Sequence, residues 1–251
     1  MVKLAHSSLA FSALLGLALA TTGCGESTSN AEDDSTVDAS CDSEFSGPID
    51  PSALIDDLED TDGQIAEVGT RNGGWWISTD GSDGIVTPEA DMQPLPERIL
   101  GKRCESEFGM HITGADFSEW GAVLSLGFRY TSKEEPVDLS EFEGVMFWAR
   151  RGETHSSNVR IQFQDSTTHV EGGKCNPDAS TPDECWNGWG TDVTPLGTEW
   201  QLYKIKFSTL SQRAFGLLGE SLDLEHVYNI DFTLDPDAVF DLWLDDIWLF
   251  E

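Results

Sequence analysis

The chain has 251 residues, 39% of them hydrophobic, and its nine Trp and thirteen Phe supply enough apolar area for a packed core. Forty-six acidic residues against 14 basic ones give a formal charge of −32. A surface that negative repels phosphate backbones and anionic bilayers, so a nucleic-acid partner is excluded, whereas solubility and divalent cations suit it.

Lys3 precedes an apolar run from Leu9 to Ala20. This run is too short to span a bilayer, which takes about 20 residues. It ends in Thr21-Thr22-Gly23-Cys24, which resembles the bacterial lipobox, with Thr21 where that motif usually has an aliphatic residue. The resemblance implies removal of residues 1–23 as a signal peptide and attachment of a diacylglycerol to Cys24. The membrane would then be a partner through the lipid anchor only. Gly25 in place of Asp points to the outer membrane or cell surface. An ordinary secretory leader is the alternative.

Residues 24–47 contain no Lys or Arg and are rich in Ser, Thr, Asp and Glu. Such a segment cannot offset its chain entropy by burial and reads as a disordered, charge-extended tether. With Cys24 set aside, four cysteines remain, an even number that suits disulfides in an exported protein. Cys175 and Cys185 bracket one turn-rich loop and are expected to pair, which leaves Cys41 with Cys104 by elimination. The spacings fit no zinc pattern.

From Pro48 to the end the chain reads as short strands with period-two alternation. Val123, Ser125, Gly127 and Arg129 alternate with Leu124, Leu126, Phe128 and Tyr130 between Gly121 and Thr131. Further runs are Gly144–Arg150, Val159–Asp165, Trp200–Phe207 and Val227–Leu234, and Val239–Phe250 is apolar enough for a central strand. Pro51–Glu59 reads as an opening strand, and Phe207–Gly216 has room for one helical turn. No internal repeat or second domain boundary is visible. The pattern predicts one all-β domain over residues 48–251, a two-sheet antiparallel β-sandwich of the jelly-roll kind.

Several stretches carry a family resemblance. In order they are Ile55-Asp56-Asp57-Leu58-Glu59, Gly73-Gly74-Trp75-Trp76 with Asp80, His111-Ile112-Thr113-Gly114, and Trp120-Gly121-Ala122. Val137-Asp138-Leu139-Ser140, the Cys175–Cys185 loop, Trp200-Gln201, Phe207 to Gln212 and Leu244-Asp245-Asp246-Ile247 follow. This succession resembles the galactose-binding-like jelly rolls, in particular non-catalytic carbohydrate-binding modules, and the related jelly roll of complex I intermediate-associated proteins. It implies binding of a polysaccharide or oligosaccharide. A shared fold does not by itself establish a ligand.

Two candidate sites follow from the residues. The first and last strands of a jelly roll are commonly neighbours, so acidic clusters at opposite chain ends can converge on Ca²⁺, which takes six to eight oxygen ligands. The resemblance maps a structural calcium onto Glu59 and Asp245, with Asp57 and Asp62 as additions; a pair of solvated acidic turns is the alternative. The second is a sugar face. Trp148, Arg150, Arg160, Gln162 and Gln164 on two strands, Asn229 and Asp231 on another, and Arg129 offer planar polar groups and an aromatic platform. A solvated sheet face is the alternative. Trp75, Trp76, Trp120 and Trp200 read as core or rim, and Trp186 and Trp189 as either a platform or a cover for the sandwich end. His111, His155, His169 and His226 lack metal-ligand spacing, and no hydrolase or phosphate-binding motif appears. The sequence thus predicts a surface-anchored, non-enzymatic polysaccharide binder. A protein-interaction sandwich of the envelope and a polysaccharide-degrading enzyme are the alternatives.

Overall fold

The computed structural model describes residues 50–153, 158–179, 182–236 and 238–251. The apolar leader, Cys24, the tether, Cys41 and His155 lie outside them. Asp50 caps a single 3-10 turn at Pro51–Ala53, and the chain then runs into β1 (Leu54–Asp56). There follow β2 (Trp75–Thr79), β3 (Ile85–Thr87), β4 (Glu97–Arg103), β5 (Ser106–Ala115), β6 (Ala122–Gly127) and β7 (Gly144–Arg151). The remainder are β8 (Val159–Asp165), β9 (Trp189–Val193), β10 (Gln201–Lys206), β11 (Val227–Leu234) and β12 (Phe240–Phe250). Phe207–Thr209 forms one 3-10 turn, in the stretch where a helical turn was expected.

The strands make two antiparallel sheets. One has the order β10-β7-β12-β5-β3, with β1 beside β12 and β4 folded back on β5. The other has the order β2-β6-β11-β8-β9. The apolar run at the chain end is central, as its composition predicted, between β7 and β5. The first and last strands are neighbours: Leu54 faces Trp248 and Asp56 faces Ile247. Between Asp245 and Trp248 the register of β12 slips and Asp246 takes a positive φ of 43°, which marks a bulge.

The core fills the gap between the sheets with alternate residues of each strand. Ile230, Phe232 and Leu234 of β11 and Ile161 and Phe163 of β8 meet Val145, Phe147 and Ala149 of β7 and Leu242, Leu244 and Leu249 of β12. Phe232 is the central contact. Its ring stands edge-on to Phe147 of the other sheet at 5.4 Å and lies 6.4 Å from Trp75. Outside the core, Cys175 and Cys185 form the expected disulfide, closing the loop that follows β8. Cys104 is also disulfide-bonded.

Truncation of Phe232 to Ala leaves a cavity where three rings converge, and should cost about 3–5 kcal/mol. Urea unfolding of the folded chain measures this; a loss below about 1 kcal/mol would contradict a close-packed interface there.

Candidate functional site

The alternation that buries Ile230 and Phe232 turns Asn229, Asp231 and Thr233 outward, and register aligns them with neighbours across the five-stranded sheet. One row runs Trp76, Ser125, Asp231, Gln162, Gly190. A second joins Gly127, Asn229 and Gln164, and a third joins Ser78, Val123, Thr233, Arg160 and Asp192. Asp231 is the hub of this face. Its Oδ1 accepts from Ser125 Oγ at 2.7 Å and Asn229 Nδ2 at 2.5 Å, and its Oδ2 from Gln164 Nε2 at 2.9 Å and Gln162 Nε2 at 3.4 Å. Burial pushes the Asp231 carboxyl up, against the pull of its donors Ser125, Gln164 and Gln162.

The hub leaves polar atoms over. Asn229 Oδ1, Gln164 Oε1, Thr233 Oγ1 and Arg160 Nε are buried and have no hydrogen-bond partner among the described residues. Buried polar atoms of this kind carry a desolvation cost, and the half-buried Gln162 is the member of the hub that reaches the surface. The strip is bordered by Trp186, whose carbonyl accepts from Gln164 Nε2 at 3.3 Å and whose N–H donates to Thr168 O at 2.9 Å. Trp186 holds a φ of +75° and is 45% exposed. A bulky residue in that region is strained, and here its backbone is held on both sides.

At the β2 edge the strip opens into a cavity of about 540 Å³ lined by Gln64, Asn72, Trp76, Gln93, Arg129, Tyr130 and Glu134. Gly127 is needed here: a Cβ on it would come within 2.5 Å of the Trp76 ring, so the indole lies across the bare backbone. Tyr130 is 57% exposed. Arg129 pairs with Glu135 at 3.1 Å. Glu134 Oε2 meets Nε2 of His169, which stacks on Tyr228 at 4.3 Å, and Glu134 Oε1 is left over. The cavity thus joins two aromatic side chains to amide, guanidinium and carboxylate groups.

The predicted sugar residues are therefore divided. Arg160, Gln162, Gln164, Asn229 and Asp231 do share one face, and Arg129 stands in the adjoining cavity. Trp148 and Arg150 belong to β7 of the other sheet, because Val145, Phe147 and Ala149 take the inward positions there. Their place is a stack on the outside of the seven-stranded sheet: Trp148, Arg103, Trp200, Arg150, Trp243 and His111. Arg103 lies 4.8 Å from the Trp148 ring and 5.9 Å from Trp200. Arg150 lies 5.2 Å from Trp200 and 5.1 Å from Trp243, on which His111 stacks at 3.9 Å. Each cation–π contact of this kind stabilises by roughly 0.5–2 kcal/mol. Trp76, Tyr130, Ser125, Gln64 and Gln93 were not among the predicted site residues. Ser125 could have been found, since its alternation with Leu124 and Leu126 is plain in the sequence.

The predicted calcium residues also come together in part. Glu59 Oε1 accepts from Ser106 Oγ at 2.9 Å and from the N–H groups of Glu107 and Phe108 at 2.8 and 3.0 Å. The same Ser106 Oγ lies 2.7 Å from Asp245 Oδ2, so its single proton is shared between the two carboxylates. Asp57 and Asp62 instead turn to their own loops, accepting from the N–H groups of Glu59 and Gln64. Among the described residues no three His, Cys, Asp or Glu side chains are placed to hold a metal ion. What lies against Asp245 and Asp246 is the Arg103 guanidinium. The donor set does not fit a six- to eight-oxygen calcium shell.

Residues 73–251 match the family model described as carbohydrate binding domain 30. No curated protein matches the chain. Among solved structures, a family 11 carbohydrate-binding module from Clostridium thermocellum, in complex with a β-1,3-1,4-mixed-linked tetrasaccharide, is 16% identical. It has a TM-score of 0.50 over 79% of this chain and 94% of that one. A family 30 carbohydrate-binding module is 14% identical, with a TM-score of 0.50 over 75% of this chain and 94% of that one. At these identities the likeness concerns the fold, the jelly-roll sandwich that strand alternation had predicted.

The stack makes stability depend on pH through His111. Burial opposes its charged form, but hydrogen bonds to Asp241 at 2.9 Å and Glu97 at 3.0 Å prevail and raise its pKa. A raised folded-state pKa means the stabilisation is fully present below the unfolded value of about 6.5 and is lost as pH climbs through the folded value. Wild type should therefore exceed His111→Phe in urea stability by more at about pH 5.5 than at about pH 9. An equal gap at both would refute the charged rung.

Proposed function

Because the chain belongs to the carbohydrate binding domain 30 family, we propose that it captures a neutral polysaccharide without cleaving it, on the outer face of the five-stranded sheet and in the cavity beside β2. The observation that carries the reading is the Asp231 strip. Four side chains converge on one carboxylate and leave donors and acceptors unsatisfied beside it. Sugars offer hydroxyls for such groups and C–H faces for aromatic rings, and Trp76 and Tyr130 stand where the strip opens.

Neutral glycans suit this face better than acidic ones. Asp231, Asp192 and Glu134 border it within a chain of net charge −32, so a polyuronate would meet like charge both on approach and in place. A linear mixed-linked β-glucan is the first ligand to test, since the similar family 11 module was seen with a tetrasaccharide of that linkage. In the same reading Cys24 carries the lipid, the acidic segment is a spacer, and the module stands at the outer membrane or cell surface. The leader sequence supports that part.

Affinity electrophoresis through gels containing the glucan tests the face. Trp76→Ala and Gln162→Ala should each weaken retention at least tenfold, or about 1.4 kcal/mol. Trp148→Ala should leave it within about twofold, since Trp148 belongs to the opposite sheet. Retention unaffected by both site changes would place binding elsewhere, and no retention by any neutral polysaccharide would end the proposal. For the anchor, mass spectrometry of the mature N-terminus should find acylated Cys24; an unmodified terminus would remove it.

A further inference from the structure

The acidic corner lies where β1 and β5 part company along β12. Glu59 leaves the end of β1, Ser106 begins β5, and the bulge in β12 presents Asp245 and Asp246 side by side. Asp245 is fully buried and Asp246 largely so. Burying two adjacent carboxylates is costly without a nearby positive charge. From the sequence, that charge was expected to be calcium.

Arg103, from the end of β4, reaches into this corner with a side chain only 4% exposed. Its Nε donates to Asp245 Oδ2 at 2.8 Å and a terminal nitrogen donates to Asp246 Oδ2. The carbon of the same guanidinium sits over the Trp148 ring, 4.8 Å from its centroid. A guanidinium can do both at once because it is planar, donating in its plane and stacking across it, and a point-like metal ion cannot. Two further oxygens of the corner are engaged: Asp245 Oδ1 accepts from the Asp246 N–H at 2.8 Å, and Glu59 Oε1 from the N–H groups of Glu107 and Phe108 at 2.8 and 3.0 Å.

We propose that Arg103 is the built-in counter-cation of the acidic corner, taking the role a divalent ion was expected to play, so that the fold does not depend on calcium. The claim is independent of the sugar reading. It makes Arg103 a structural residue at the junction of β1, β5 and β12, and it joins the corner to the stacked face of the seven-stranded sheet.

Thermal unfolding of the full chain tests this in two arms. In the first, wild type is melted in excess EDTA, in millimolar CaCl₂ and in NaCl of matched ionic strength. The three midpoints should coincide; a midpoint raised by CaCl₂ over the NaCl control, or lowered by EDTA, overturns the proposal. The second arm needs no metal. Arg103→Met should lower the midpoint by stranding Asp245, and adding Asp245→Asn should bring it part of the way back. A double variant no more stable than Arg103→Met would mean that Arg103 acts through packing on Trp148 alone, and would overturn its role as counter-cation. If Arg103→Met does not fold, Arg103→Lys replaces it: it keeps the charge but loses the fork, and should fold with a midpoint below wild type. Failure of Arg103→Lys to fold, or a midpoint equal to wild type, overturns the role of a forked counter-cation.

Discussion

The insertion of Phe232 and its neighbours Ile230 and Leu234 between the two sheets is the constraint on which the rest of the molecule depends. A strand cannot bury these three without turning Asn229, Asp231 and Thr233 the other way. Because β11 lies between β6 and β8, its register also decides which side chains of those strands stand beside Asp231. A slip of one residue would hide the polar hub in the core and expose the aromatic one. Packing energy and site geometry are therefore one choice in this sheet.

Charge is arranged by the same logic. Most of the 46 carboxylates can face water, where they keep the chain soluble at little cost. The exceptions each meet a specific answer. Asp56 is buried, which pushes its carboxyl up to about 7, and it accepts from Trp75 Nε1 at 2.7 Å. Asp231 collects amide and hydroxyl donors. Asp245, also pushed up to about 7 by burial, meets Arg103 and Ser106. Neutral donors and a single guanidinium divide between them the burial of acids that would otherwise oppose folding.

Much of the architecture was readable from alternation. The strands found that way are those with clean inward and outward residues: β6, β7, β8, β10, β11 and β12. The ones that were missed lack that contrast. In β4 the run Glu97–Arg103 carries Arg98, Leu100 and Lys102 with a single apolar inward residue, Ile99. In β5 Gly109 and Gly114 flank the short alternation of Met110 and Ile112 about His111, and β9 is short with Gly190 within it. Alternation assigns a face to each strand but does not say which sheet the strand joins. That is why Trp148 and Arg150 were grouped with Gln162, although β7 and β8, adjacent in sequence, lie in different sheets. Trp76 escaped for a related reason: two adjacent tryptophans look alike until a strand puts Trp75 in the core and Trp76 outside. Arg103 had no sequence signal, since its partners are some 140 residues away and are brought near only by the meeting of β5 with β12.

The disulfide between Cys175 and Cys185 closes a ring just before Trp186. Inside the ring, the Glu184 carbonyl accepts from the Leu217 N–H at 2.9 Å, so the ring is tied to the loop after β10 as well as to Trp186. Trp186 is thus gripped from two directions, by a covalent closure immediately before it and by the Thr168 carbonyl that its own backbone N–H reaches, and that double hold keeps an aromatic residue with a positive φ at the rim of the sheet.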